Sequence, residues 1–283
     1  MIVVTGASGQ LGQLVIHSLL RSVPASQIVA AVRQPAKAAA LSALGVQVRE
    51  ADYNRPDTLD TAFAGAEKVL LISSSEVGQR LPQHQNVIDA AVRAGVQLLA
   101  YTSVLRADTS PLGLAVEHLA TERALKASGL AHVVLRNGWY TENYLASVPA
   151  ALAHGALIGS AAEGRISTAA RADYADAAAA VLTLPEQAGK VYELAGDSSF
   201  TLGELAAELS QATGKTIPYV NLPKAEYKGA LLQAGLPEPI AELLADSDIG
   251  ASQGALYETG GQLGRLIGRP TTAWAAQIRA SLA

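Results

Sequence analysis

A chain of 283 residues that is 49% hydrophobic and only 16% charged can bury a large core, as one large domain or two smaller ones. Its net charge of -4 and the lack of any basic run argue against nucleic acid as a partner, and the absence of cysteine excludes disulfides, thiol catalysis and cysteine-ligated metals. No apolar run approaches the ~20 residues needed to span a bilayer, and no basic n-region or cleavage site precedes the first strand, so a cytoplasmic protein is expected.

The first element is an apolar strand, Ile2-Val-Val4, running into Gly6, Gly9 and Gly12, with Leu11, Leu14, Val15 and Leu19 following at helical spacing. A buried strand, a glycine turn and a helix N-terminus bring backbone N–H groups to a place where a pyrophosphate can sit. Gly6 suits the tight turn, Gly9 the close approach of the phosphates and Gly12 the packing of helix on strand. The whole stretch Gly6, Ala7, Ser8, Gly9, Gln10, Leu11 and Gly12 is therefore a candidate cofactor loop.

Further strands are expected at Ile28–Val32, Val46–Arg49, Lys68–Ile72, Leu98–Thr102, His132–Arg136 and Lys190–Leu194. Between the first five of these lie the helical stretches Ala36–Leu44, Leu59–Phe63, Asn86–Ala94 and Val116–Ala127. Strands apolar on both faces, alternating with helices, predict an α/β fold, a doubly wound parallel sheet of the Rossmann type with its crevice at the strand C-termini. After residue 197 the character changes. Thr201 and Glu204 form a capping box for a helix that Gly214 and Lys215 end, Ile217–Val220 reads as an edge strand, and 223–262 is helical but rich in Gly and Pro. Residues 1–140 and 165–196 are expected to form the dinucleotide-binding domain, with 141–164 and 197–283 as a smaller substrate or lid region.

The second strand ends at Arg33, with no acid before Glu50. An acid there would bind the ribose 2′-hydroxyl of NAD, whereas a guanidinium accommodates the 2′-phosphate of NADP. NADP(H) is therefore the expected cofactor, with Lys37 close enough to assist. Asp52 and Tyr53, after the third strand, are expected to border the adenine. Ser73, Ser74 and Ser75, after the fourth, would let the cofactor backbone lie close.

Reductases of this fold usually protonate their substrate with a tyrosine and a lysine four residues later, yet no Tyr-x-x-x-Lys occurs between Tyr101 and Lys126. Reduction of an unactivated ketone makes an alkoxide and calls for a proton donor. A quinone gives an aromatic hydroquinone anion that water can protonate, so the missing pair narrows the substrate to activated acceptors or removes catalysis. His118 stands where the lysine would act. The stretch Arg136–Asn143, after the sixth strand, is placed at the mouth of the crevice and is rich in donors and aromatic faces, which suit a flat conjugated substrate.

Thr5–Gly12, Val23–Gln27, Ile72–Arg80, Ala107–Gly113, Leu135–Tyr144 and Ala245–Ser252 resemble the NmrA-like atypical short-chain dehydrogenase/reductase family, in particular its NADPH-dependent quinone reductases, over essentially the whole chain. The resemblance implies NADP(H) held by the glycine loop, Arg33, the Ser73–Ser75 stretch and Asn137, Gly138, Trp139, Tyr140, Thr141, Glu142 and Asn143. It also implies direct hydride transfer to a quinone, a small-molecule partner, without a tyrosine–lysine pair, with Tyr140 and Asn143 shaping the acceptor site. Triphenylmethane and azo dye reductases are the nearer alternative. Regulators that bind NADP and turn nothing over are the farther one, and a homodimer is compatible with any of these.

Overall fold

The computed structural model describes residues 1–282, in two compact units. The first comprises 1–107, 116–137 and 171–192, and the second 108–115, 138–170 and the chain from 193 onward. In chain order the strands are β1 (Ile2–Val4), β2 (Ile28–Val32), β3 (Gln47–Glu50), β4 (Lys68–Leu71), β5 (Leu98–Val104), β6 (His132–Asn137), β7 (Leu157–Gly159), β8 (Val191–Leu194) and β9 (Tyr219–Asn221).

Seven of these form one sheet in the order β3-β2-β1-β4-β5-β6-β8. The neighbours from β3 to β6 pair in parallel, with Val4 opposite both Ala30 and Leu70. Every residue of β2 and β5 is buried, as strands covered on both faces must be. The order reverses between β1 and β4. A doubly wound sheet has its ligand crevice at such a switch point, outside the strand C-termini.

The helix Gln10–Leu19 follows β1 and buries Leu11, Val15, Ile16 and Leu19. It packs on the helix Arg171–Thr183, where Ser18 Oγ donates to Asp176 Oδ1 at 2.8 Å. On the sheet, Phe63, Leu71, Ile88, Leu99 and Tyr101 share one buried cluster.

In the second unit the Thr201–Glu204 capping box is present, with Glu204 N–H donating to Thr201 Oγ1 at 3.1 Å and Thr201 N–H to Glu204 Oε2 at 2.9 Å. Phe200 packs between Trp274, with ring centroids 4.6 Å apart, and Tyr144, 5.3 Å away. Two-stranded pairing of β7 with β9 completes this unit.

Among the elements that depart from the sequence reading, three are instructive. The stretch 36–44 is not one helix but a 3-10 turn, Pro35–Lys37, and a single helical turn, Ala39–Ser42, ended by Gly45 at φ +81°. The helix expected from Asn86 starts at Arg80 and absorbs Pro82 in its first turn, where no N–H is needed. Strand β7 has no counterpart in the sequence pattern, because three residues carry no alternation and their partner lies about 60 positions away.

Candidate functional site

The turn after β1 is built as the glycines demand. Gly6 has φ +58°, in the left-handed region that favours glycine. A Cβ on Gly12 would lie 2.5 Å from Gly6 O and 2.6 Å from Ala7 Cα, so helix and loop touch there with no room to spare. A Cβ on Gly9 would meet only Gly6 O, at 3.2 Å, and otherwise opens outward. Gly9 is also the N-cap of the helix Gln10–Leu19. That cap carries no side-chain hydrogen bond, and the first turn has no acidic residue. The first-turn N–H groups therefore face outward, with a partial positive charge that favours an anion.

Around this turn lies a cleft of about 420 Å³, within the range of small-molecule and cofactor sites. Gly6, Ser8, Gly9, Gln10, Leu11, Gly12, Arg33, Asp52, Ser73, Ser74 and Ser75 all line it. Ala7 sits beneath the loop instead, fully buried, with its N–H donating to Ala31 O at 3.2 Å. Lys37 is not among the lining residues.

Tyr53 ties the floor together. Its Oη lies 2.5 Å from Thr5 Oγ1 and donates to Ile72 O at 2.8 Å, clamping the ends of β1 and β4. Burial pushes this phenol above its ordinary range, so it stays protonated. One Asp52 oxygen accepts from Asn54 N–H at 2.9 Å and fixes the turn after β3.

The serine loop is held from behind by side chains that sequence reasoning did not identify. Ser73 N–H donates to Thr102 Oγ1 at 2.9 Å, and Ser74 N–H donates to His84 Nε2 at 2.9 Å. Since Nε2 accepts, the proton of the neutral ring is on Nδ1, which donates to Thr121 Oγ1 at 2.9 Å. Burial and the nearby Arg80 charge push the His84 pKa down to about 3, which keeps that tautomer neutral. Arg80 Nε donates to Ser74 O at 2.5 Å, and Glu117 Oε1 accepts from Gly78 N–H at 2.9 Å. The signal for these residues was their helical spacing, Arg80 to His84 and Glu117 to Thr121.

His118 lies in the first unit, buried, with Nδ1 2.7 Å from Tyr101 Oη. Burial, then the Arg80 charge, pushes its pKa down to about 3. Burial raises the pKa of Tyr101.

Arg136 lies near the end of β6 in a buried ion pair, with Nε and Nη2 donating to Glu122 Oε1 and Oε2 at 3.0 and 2.7 Å. Ser103 Oγ adds a third bond to Glu122, at 2.6 Å. Asn137 is buried beside it in sequence, and its side-chain Oδ1 has no hydrogen-bond partner among the described residues. Gly138, Trp139, Tyr140, Thr141, Glu142 and Asn143 belong to the second unit. There Gly138 N–H donates to Leu194 O at 2.7 Å and Thr141 N–H to Ala169 O at 3.0 Å, while Trp139 is buried. Tyr140 caps the helix Thr141–Leu145, and Tyr140 and Asn143 are both partly exposed.

A phosphate-bearing dinucleotide fits what the first unit offers: a glycine turn without side chains, an uncapped helix N-terminus, and a guanidinium at the end of β2. The profile of the NAD(P)H-binding family matches residues 6–185. Quinone oxidoreductase 2 of Escherichia coli is 59% identical over 278 residues, 98% of this chain and 97% of that protein. The crystal structure of the E. coli NADPH-dependent quinone oxidoreductase complexed with NADPH superposes with a TM-score of 0.98 at 58% identity, covering 100% of both chains. Triphenylmethane reductase of Citrobacter sp., complexed with NADP(H), gives 0.95 at 40% identity over 99% of this chain and 100% of that one. An NmrA-like family domain-containing oxidoreductase of Aspergillus flavus is 27% identical over 94% of this chain and 90% of its own length. The chain belongs to the NAD(P)H-binding family, and NmrA-like proteins are among its more distant relatives.

Proposed function

We propose that this chain is an NADPH-dependent quinone oxidoreductase that passes two electrons to its acceptor as a hydride. The observation that carries the reading is the cleft at the β1/β4 switch point, with its uncapped helix N-terminus and Arg33, in a chain that matches the E. coli quinone reductase end to end.

The glycine loop and the first turn of the helix receive the pyrophosphate, Arg33 takes the 2′-phosphate, and Asp52 and the Ser73–Ser75 loop line the remainder. Asn137, the last residue of β6, adds a cofactor contact from the same unit, and substitutions at Tyr140 and Asn143 in the second unit test whether they bear on the acceptor. Bound NADPH supplies the hydride. Addition of that hydride to a quinone gives a hydroquinone anion, and solvent water provides the proton. No protein acid is required, and with a pKa of about 3 the neutral His118 is a poor proton donor near pH 7. Its part is to hold Tyr101.

The likeness to Citrobacter triphenylmethane reductase favours dyes as a second class of acceptor at the same site. Among the described residues no helix is long and apolar enough to cross a membrane, and the reading places the protein in the cytoplasm. Light scattering decides between a monomer and a homodimer. The test of function is NADPH oxidation followed against benzoquinones, triphenylmethane dyes and aliphatic ketones. Turnover with quinones and none with ketones is expected.

A further inference from the structure

Strand β2 delivers Arg33 to the cleft without an acid of its own, but the loop after β4 brings one. Glu76 Oε1 accepts from Arg33 Nη1 at 2.9 Å, and Glu76 Oε2 accepts from Gln83 Nε2 at 2.8 Å. Gln83 is 2% exposed, so the carboxylate is fixed by a buried amide. The same Nε2 makes a longer bond to Asn54 Oδ1, at 3.3 Å, so its two hydrogens serve Glu76 and Asn54. The backbone is fixed as well, since Glu76 N–H donates to Ser74 Oγ at 3.1 Å and Glu76 O accepts from Gln79 N–H at 3.0 Å. Arg33, Glu76, Gln83 and Asn54 all line the cleft.

We propose that Glu76 is a built-in competitor for Arg33, occupying the guanidinium until a 2′-phosphate displaces it, and so sets how strongly the protein distinguishes NADPH from NADH. The proposal rests on the reading that Arg33 takes the 2′-phosphate. In the cofactor-free protein the carboxylate supplies Arg33 with a counterion and holds it in the cleft. The pair is open to water, with side-chain exposures of 66% and 43%, so it is weak and readily exchanged. An arriving phosphate must take the guanidinium from a carboxylate that Gln83 does not release, and the two anions repel. NADH brings a neutral ribose hydroxyl and meets neither cost. Glu76 therefore works against the cofactor that Arg33 selects.

The test is calorimetric titration of wild type, Glu76→Gln and Glu76→Ala with NADPH and with NADH. Both variants should bind NADPH about two- to fivefold more tightly, with a larger gain at low ionic strength. Their affinity for NADH should not fall. NADPH affinity that is unchanged or weaker in both variants overturns the proposal. A drop in NADH affinity also overturns it, because Glu76 would then be a ligand of the ribose. Arg33→Ala, titrated in parallel, separates the two claims. A loss of NADPH affinity supports the phosphate reading whatever Glu76 does, and no loss removes both that reading and the competitor built on it.

Discussion

Tyr101 and His118 hydrogen-bond to each other at 2.7 Å, Oη to Nδ1, inside the first unit, Tyr101 fully buried and His118 4% exposed. A tyrosine–lysine pair keeps a cation beside the phenol and lowers its pKa. Here the partner is an imidazole that burial keeps neutral, and the phenol is pushed up instead. Neither group is tuned to give up a proton near pH 7. His118→Ala should therefore reduce single-turnover NADPH oxidation by saturating benzoquinone by less than the 10²–10⁴-fold typical of a general acid. It should also destabilise the fold by about 1–3 kcal/mol, because Tyr101 Oη loses a buried partner and the imidazole leaves a void. A loss beyond roughly 100-fold with quinone binding intact would make His118 the proton donor.

The two buried histidines also fix a pH dependence of stability. His84 and His118 stay neutral in the folded protein down to about pH 3, whereas in the unfolded chain they titrate near the ordinary value of 6.5. Between those values the unfolded state binds more protons, so stability falls as pH drops from about 6.5 towards 3. Urea unfolding of wild type and His118→Gln at several pH values from about 7.5 downward measures the share of His118. The variant should lose less stability on acidification, and an equal loss would mean that the ring is protonated in the folded state.

Two glycines in one loop should fail differently. At Gly12 an added methyl meets backbone at 2.5 and 2.6 Å, so Gly12→Ala should lower stability by about 1–3 kcal/mol or more. At Gly9 the space is outward, so Gly9→Val should keep the melting temperature close to wild type while abolishing saturable NADPH binding. Thermal melts beside fluorescence titrations distinguish the two. A well-folded Gly9→Val protein that still binds NADPH would remove the phosphate role of the loop.

The loop was legible because all its causes are local: an apolar strand, glycines three apart and a helix pattern lie within Ile2–Leu19. Arg33 and the serine run were legible for the same reason, since each closely follows a strand end. The Arg136–Glu122 pair was not legible because Glu122 sits on a helix 14 positions earlier, and nothing in the sequence says which face of β6 its last residues, Arg136 and Asn137, take. The His84–Ser74 and Gln83–Glu76 contacts were missed because a helix that begins with Arg80-Leu-Pro82 hides its start behind the proline.

The Arg136–Glu122 pair should be structural. Arg136→Met strands a carboxylate that is 11% exposed and should cost about 3–5 kcal/mol, while NADPH affinity is kept. Arg136→Met with Glu122→Leu should recover most of that loss. A stable Arg136→Met protein with a raised quinone KM would return Arg136 to the substrate site.

Direct hydride transfer from NADPH to a quinone needs no enzymic acid. The most direct test is the steady-state rate of NADPH oxidation by the wild-type protein with a simple benzoquinone, measured between about pH 6 and 8. Acid-free transfer predicts enzyme-dependent turnover that varies little over this range, with aliphatic ketones left unreduced under the same conditions. A rate no faster than the enzyme-free reaction, or one that follows a single ionisation near neutrality, would contradict it.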